Sequence, residues 1–259
     1  MILTTELPQE LLHRLRDAPL RLSAMRSALL AANLEGVWWG SRTAALVDRA
    51  SFDQDGARQL GGCLQTAQSE LFVVYEPTTE QTFVVNRRLL RERLSETVLF
   101  IEVGGKEPAL LEAAPSGTQK LLEAIANHAA TSDSSFCLLD LDPPGRTSDL
   151  ITLAGILLDY ATAYCVSSEY GSNCLGGREL QLIEAFSVTA GGQRNPFFSF
   201  SYPAEIISSW PTLEPVTVVA QVDRKLQARF RKAQQRYPEL VGFSMEVKHG
   251  TVTLDQVAL

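Results

Sequence analysis

The stretch of sequence that decides the fold class is residues 97–166, where apolar β-prone runs alternate with helical segments. The runs are Thr97-Val-Leu-Phe-Ile101, Phe136-Cys-Leu-Leu139 and Ala161-Thr-Ala-Tyr-Cys-Val166. Residues 118–130 carry apolar side chains at helical spacing, and residues 150–158 form an apolar helix candidate interrupted by Thr152. Strands that alternate with helices are typical of a parallel sheet covered by helices. This stretch therefore predicts an α/β fold.

The flanking sequence extends this prediction to the whole chain. Residues 1–40 are predicted to form an N-terminal helical segment, residues 41–167 an alternating strand and helix region, and residues 168–259 a strand-rich part with one amphipathic helix from about 216 to 236. Lys248-His249-Gly250 is predicted as a tight turn between two short strands, 242–247 and 251–254. Without an evident linker or repeat, we predict a single α/β domain over residues 1–259. Its sheet should be mixed and mainly parallel, flanked by helices, with antiparallel strands added in the C-terminal third.

Several short motifs in the second half of the chain occur in a fixed order. They are Gly155-Ile-Leu-Leu-Asp-Tyr160, Tyr164, Asn173-Cys-Leu175, Phe198-Ser-Phe-Ser-Tyr202-Pro203, Asp223, Leu226, Arg229-Phe-Arg231 and Val257-Ala-Leu259, with Ala45-Leu-Val-Asp48 in the first half. This order resembles an uncharacterised eukaryotic protein family typified by the human chromosome-1 open reading frame 74 protein. Ala161 follows Tyr160 where that family has a proline. The family has no established activity, so the resemblance implies no catalytic or ligand-binding residue.

Carboxylates follow three of the predicted strands. They are Asp48, Glu102, and the pair Asp140 and Asp142. In an open α/β sheet, ligands bind beyond the carboxyl ends of the strands, and carboxylate oxygens are the ligands that Mg²⁺ prefers. If the three strands are neighbours, these four residues form a candidate metal site. The alternative is that each acid is a solvated loop residue or caps the following helix.

Two candidates for catalytic groups follow from local sequence. Asp140-Leu-Asp142 after an apolar run resembles the nucleophile loop of haloacid-dehalogenase-type phosphotransferases, although Pro144 stands where those enzymes have threonine or valine. Cys174, next to Asn173 in a polar turn, is a candidate nucleophile, which requires a base or a lowered pKa. The alternative for Cys174 is a packed thiol without a chemical role.

Composition limits the compartment and the class of partner. The net charge of −7 argues against general binding to nucleic acid or to anionic membranes. We find no secretory signal and no apolar run long enough to cross a bilayer, and the four cysteines form no closely spaced pair. These features predict a soluble protein of the cytoplasm, with the nucleus as the other compartment in which thiols stay reduced.

Two functional hypotheses of different classes therefore stay open. The first is a non-enzymatic protein that binds an unidentified protein partner, for which the basic helix is a candidate surface: it carries Arg224, Lys225, Arg229, Arg231, Lys232 and Arg236. The second is an enzyme for a small molecule or phosphate ester, with Mg²⁺ bound by the strand-end carboxylates. Trp38-Trp39 and Phe197-Phe198 are predicted as core anchors. Only if exposed would they indicate an interface.

Overall fold

A computed structural model describes residues 8–141, 147–166 and 173–257, which contain seven α-helices and ten β-strands. The helices are α1 (Gln9–Asp17), α2 (Ala24–Trp38), α3 (Gln54–Gln65), α4 (Arg87–Leu94), α5 (Ser116–Thr131), α6 (Ser148–Leu157) and α7 (Pro215–Arg236). The strands are β1 (Ala44–Leu46), β2 (Leu71–Glu76), β3 (Gln81–Asn86), β4 (Leu99–Glu102), β5 (Ala109–Leu111), β6 (Phe136–Leu138), β7 (Thr162–Cys165), β8 (Glu179–Val188), β9 (Arg194–Pro203) and β10 (Ser244–Thr253). The protein is thus a mixed α/β protein, as the sequence predicts.

The chain divides into two compact units, which we describe separately. The first comprises Met1–Glu96, Ser116–Thr147 and Leu157–Asp159; the second comprises Thr97–Pro115, Ser148–Ile156 and Tyr160–Leu259. The chain therefore passes between the units several times. The expectation of a single α/β domain over residues 1–259 stays a prediction.

The first unit is built on a four-stranded sheet in the order β1-β3-β2-β6. Its central strand β2 reads Leu71-Phe-Val-Val-Tyr-Glu76, and all six residues are buried. A strand that is apolar on both faces needs cover on both faces. Helix α3 packs against β2, and α1 packs against α2 and α3. The two edges of this sheet, β1 and β6, are short strands of three residues each.

The second unit contains two three-stranded sheets, in the orders β5-β4-β7 and β10-β8-β9. Helix α7 packs mainly against β10. The contact is made by a stripe of buried side chains at helical spacing. This long helix therefore has one solvent-exposed face and one packed face. The stripe consists of Val218, Val222, Leu226, Arg229, Phe230 and Ala233.

Strand pairing is more antiparallel than the sequence alternation suggests. In the described residues, parallel pairing joins β2 to β6 and β4 to β7, whereas the other five pairs are antiparallel. The reason is that consecutive strands of the alternating region, β6 and β7, lie in different sheets. The antiparallel strands expected in the C-terminal third are present as β8, β9 and β10.

The predicted turn at Lys248-His249-Gly250 is wrong. These residues lie inside the single strand β10, where His249 pairs with Ile183 and Gly250 with Leu182 of β8. The ten-residue strand β8 provides a partner along the whole of β10, and Gly250 is not among the glycines with a positive φ. Gly242, with φ of 91°, instead forms the left-handed turn just before β10.

No helix in the described ranges combines the length and the apolar sequence that crossing a membrane requires.

Candidate functional site

The first unit does not bring Asp48 and Asp140 together. Asp48 follows β1 and Asp140 follows β6, and these strands form opposite edges of the sheet with β3 and β2 between them. Three spacings of about 4.8 Å separate the two edges by roughly 14 Å. A divalent cation binds oxygen ligands at about 2.0–2.6 Å. The two carboxylates are therefore too far apart to share one ion.

Glu102 belongs to the second unit, at the end of β4. Its neighbour in the sheet is Cys165 of the parallel strand β7, and its Oε1 accepts a hydrogen bond of 2.6 Å from the backbone N–H of Gly104. Asp142 lies outside the described residues. Within those residues, no group of three or more His, Cys, Asp or Glu side chains is arranged to hold a metal ion. The metal site of Asp48, Glu102, Asp140 and Asp142 stays a prediction, although the strands before it are not neighbours, as that prediction requires.

A cavity of about 470 Å³ lies beside Asp48 in the first unit. Its walls include Arg26 and Arg49, and the Asp48 carboxylate lies 3.4 Å from the Arg49 guanidinium. The same carboxylate oxygen accepts a long hydrogen bond of 3.4 Å from the Asn33 amide. Asp48 therefore has a cationic partner on the protein itself, an arrangement that favours a solvated loop acid over a metal ligand.

Cys174 lies in a turn that is held in place through its backbone. Its N–H donates to the Val103 carbonyl at 2.8 Å, and its carbonyl accepts from Arg178 Nε at 2.7 Å. Burial raises the pKa of the Cys174 thiol, an effect that the nearby Arg178 opposes. The thiol is therefore protonated at neutral pH, whereas a nucleophile must be a thiolate. The assignment of Cys174 as a nucleophile stays a prediction that these electrostatics do not support.

The role of Asn173 beside it is structural. Its amide donates to the Val257 carbonyl at 2.7 Å, and its side-chain oxygen accepts from the Leu175 N–H at 3.2 Å. One side chain thus closes the turn and ties it to the C-terminal segment.

Thiol labelling tests the assignment for Cys174. At neutral pH we expect iodoacetamide to modify Cys174 more slowly than a cysteine in an unstructured peptide, because its thiolate fraction is lower. Cys137 and Cys165, whose pKa values burial raises to about 11, should react only when the protein unfolds. Mass spectrometry of the labelled peptides gives each rate, with Cys174→Ala as the control. Labelling of Cys174 faster than the peptide would instead identify an activated thiol.

The residues that carry the family resemblance make contacts inside the fold. A Cβ added at Gly155 would lie only 2.8 Å from the Cβ of Ala163, so α6 packs on β7 at a distance that requires glycine. The Tyr160 ring lies 5.3 Å from the ring of Phe200 and is stacked on it. The Tyr202 hydroxyl donates to the Leu213 carbonyl at 2.9 Å. In these contacts, Gly155, Tyr160 and Tyr202 hold the scaffold together.

Tyr164 belongs to the same scaffold. Its hydroxyl lies 3.2 Å from the Ser201 hydroxyl, and burial raises its pKa to about 12, against the opposing effect of that hydrogen bond. It is therefore a neutral phenol that links β7 to β9. An acid–base role near neutral pH does not fit such a group.

The aromatic pairs proposed as core anchors are confirmed in that role. Trp38 and Trp39 are 3% and 4% exposed, and Phe197 and Phe198 are also buried. They therefore form no contact patch.

The outer face of α7 is the most distinctive charged surface of the described residues. We define it by the exposed side chains of the helix, which are Val216, Ala220, Gln221, Arg224, Ala228, Arg231, Lys232, Gln235 and Arg236. Four of these are cations and none is an anion. Within the described part of the chain, no acidic side chain forms an ion pair with Arg224, Arg231 or Lys232.

Fewer cations lie on this basic surface than the sequence predicts. Arg229, counted from the sequence among its cations, is only 4% exposed and packs on the inner side of the helix, and Lys225 is half-buried. The sequence holds the signal for Arg229: positions 222, 226, 229 and 233 have the 4-3-4 spacing of one helix face. The cations available to a partner are Arg224, Arg231, Lys232 and Arg236.

Comparison with known proteins places the chain in a family. The chain belongs to the family described as Domain of unknown function (DUF4504), whose model matches residues 13–259. Searches of curated proteins and of solved structures returned no match.

Proposed function

We propose that this protein acts inside the cell by binding an acidic segment of another protein through the outer face of α7. The observation that carries the proposal is the charge of that face, where four exposed cations stand without an anion on a chain with a net charge of −7. An acidic partner is repelled by the rest of such a protein and attracted here. Opposite potentials of this kind increase the rate of association and orient the partner.

Binding through exposed ion pairs requires several such pairs at the same time. An exposed ion pair contributes about 0.2–1 kcal/mol, so a single arginine cannot define a binding site. Arg224, Arg231 and Lys232 lie within nine residues, and the rise along the helix axis from the first to the last is about 12 Å. Three such pairs contribute roughly 1–3 kcal/mol, which is enough to select among partners and is weakened by salt.

Charge reversal on α7 tests the proposal. The probe is a fluorescently labelled, glutamate-rich helical peptide, and fluorescence anisotropy at low ionic strength measures its affinity. We expect the triple variant Arg224→Glu, Arg231→Glu, Lys232→Glu to bind at least about tenfold more weakly than wild type, because it replaces attraction by repulsion.

The matched control reverses three exposed cations elsewhere, Arg16→Glu, Arg26→Glu and Lys120→Glu, and changes the net charge equally. It should retain most of the affinity. Equal losses in both variants would show that only net charge matters, and the proposal would then be rejected. Tight binding of single-stranded RNA or anionic vesicles in place of the peptide would also reject it.

A metal-dependent enzyme for a small molecule or phosphate ester stays a prediction, and no contact among the residues that the structure describes favours it. The closer likeness to the family typified by the human chromosome-1 open reading frame 74 protein is part of the present proposal. This finer assignment is supported by the order of short motifs from Gly155 to Leu259, whereas the match over residues 13–259 is to a domain of unknown function. Because that family has no established activity, this likeness neither adds to nor subtracts from the binding role.

A further inference from the structure

An exposed aromatic residue, Trp210, precedes the first residue of α7 by five positions. Trp210 is 48% exposed, whereas the other two tryptophans of the chain are buried. It lies between two 3₁₀ turns, Ala204–Ser208 and Pro211–Leu213, and the second turn leads directly into α7. An exposed indole offers a large apolar surface to a partner, and tryptophan is a frequent anchor residue at protein interfaces.

The backbone at Trp210 is fixed although its side chain is exposed. Its N–H donates to the carbonyls of Ile206 at 3.1 Å and Ile207 at 3.0 Å, and its carbonyl accepts from the Leu213 N–H at 2.9 Å. The backbone that carries the indole is therefore ordered before any partner binds. A preorganised anchor loses little conformational entropy on binding.

A second exposed apolar side chain lies on α7 itself. Val216, in the first turn of α7, is 76% exposed. Positions 216, 220, 224, 228 and 232 follow one another at four-residue spacing, and all five are exposed, so each is the surface neighbour of the next. At about 100° per residue, this stripe winds by roughly 160° around the helix axis from Val216 to Lys232. The stripe is apolar at its N-terminal end, with Val216 and Ala220, and cationic further on, with Arg224 and Lys232. It is about 24 Å long from Val216 to Lys232.

We infer that the partner segment is acidic along most of its length and carries a large apolar residue at one end, which covers Trp210 and Val216. This inference rests on the proposed function and gives the bound segment a direction. The acidic part pairs with Arg224, Arg231 and Lys232, and the apolar residue fixes the register of the segment on the stripe. A helical segment of about sixteen residues, or an extended one of about seven, matches the length of the stripe.

A double-mutant cycle tests this inference. The probes are two glutamate-rich helical peptides that differ at one terminal position, leucine in one and serine in the other. The proteins are wild type, Trp210→Ser, and the control Val241→Ser, which removes a 71% exposed valine at the opposite end of α7. Anisotropy measures each affinity, and the tryptophan emission of the wild type reports whether the indole of Trp210 leaves water.

We expect the leucine peptide to bind wild type and Val241→Ser about five- to tenfold more tightly than the serine peptide. Trp210→Ser should bind both peptides equally, and a blue shift of the emission should accompany leucine binding only in wild type and Val241→Ser. Because Trp210 and Val241 are both exposed, all three proteins should keep the same circular dichroism spectrum.

The possible failures separate the two proposals. If both peptides bind equally to wild type, and binding still depends on the α7 cations, the apolar anchor is overturned and the acidic-partner role stands. If neither peptide binds, or if binding ignores the α7 cations, both proposals are overturned. A preference for leucine that persists in Trp210→Ser would overturn the assignment of Trp210 as the anchor.

Discussion

Replacement of Arg87 by alanine is expected to lower the free energy of unfolding by about 3–5 kcal/mol, because three carbonyls lose a charged hydrogen-bond donor and the removed side chain leaves a cavity. The guanidinium is buried at the C-terminal end of α5, where its Nη1 donates to the carbonyls of His128 at 3.3 Å and Ala129 at 3.4 Å. Its Nη2 donates to the Ser134 carbonyl, and its Cζ lies 4.6 Å from the centre of the Phe72 ring. Alanine leaves these carbonyls without their charged donor.

Arg91 provides the matched control for this prediction. It lies one turn further along α4, is exposed, and reaches only the Ala129 carbonyl, at 3.5 Å. Arg91→Ala should therefore change stability by less than about 1 kcal/mol. Urea unfolding followed by circular dichroism compares the two variants. Equal stabilities for Arg87→Ala and Arg91→Ala would contradict the structural role of Arg87.

Asp159→Ala is expected to cost about 3–4 kcal/mol, through two separate effects. The Asp159 carboxylate is buried and accepts hydrogen bonds from the Thr43 backbone N–H at 2.7 Å and from the Thr43 hydroxyl at 2.8 Å. Losing an acceptor for a buried N–H costs about 1–3 kcal/mol. Asp159 also has a φ of 69°, a left-handed conformation that aspartate adopts more readily than alanine, so alanine adds a further cost of up to about 1 kcal/mol.

Two further substitutions separate these effects. Asp159→Gly removes the carboxylate but tolerates the positive φ, so it should be less destabilising than Asp159→Ala by about 1 kcal/mol. Asp159→Asn retains an acceptor for the Thr43 N–H and also tolerates this backbone, so its cost should be smallest, about 1–2 kcal/mol. Urea titrations give the ranking. Equal stability of the alanine and asparagine variants would show that the bonds to Thr43 contribute nothing.

Individual helices and strands could be predicted because side-chain spacing and capping residues act between near neighbours in the sequence. The sequence places β8 at residues 179–188 and the basic helix at about 216–236, and the structure has Glu179–Val188 and Pro215–Arg236. Asn86 is predicted to cap α4, and its side-chain oxygen indeed accepts from the Leu89 N–H. Ser51, with Gln54 three residues on, has the pattern of a capping box and predicts the N-cap of α3, but the N-cap is Asp53, whose side chain accepts from the Gly56 N–H. Two capping residues this close in sequence compete, and side-chain geometry decides between them.

Strand order was not predictable, because an apolar run does not reveal its neighbours. The metal hypothesis needed the strands before Asp48 and Asp140 to be adjacent, and the sheet order separates them. Similarly, the sequence Lys248-His249-Gly250 is typical of a turn, but pairing with the long strand β8 keeps these residues extended. In both cases a contact between residues distant in sequence determines the outcome.

The outer face of α7 could be predicted from the sequence, but the exposed Trp210 could not. Its cations follow from the basic composition of residues 224–236, and the inward position of Arg229 follows from helical spacing. The exposure of Trp210 had no such signal, because a tryptophan next to a proline is equally compatible with a core position. Only the packing of the 3₁₀ turns around it shows that its side chain stays in water.

The most direct test of the binding site is a titration of ¹⁵N-labelled protein with the leucine-ended acidic peptide, followed by amide and indole chemical shifts. Our account predicts that the largest shifts fall on residues 210–236, including the Trp210 indole N–H, while those of the buried Trp38 and Trp39 stay unchanged. Shifts centred on the cavity beside Asp48, or on the turn at Cys174, with α7 unaffected, would contradict it.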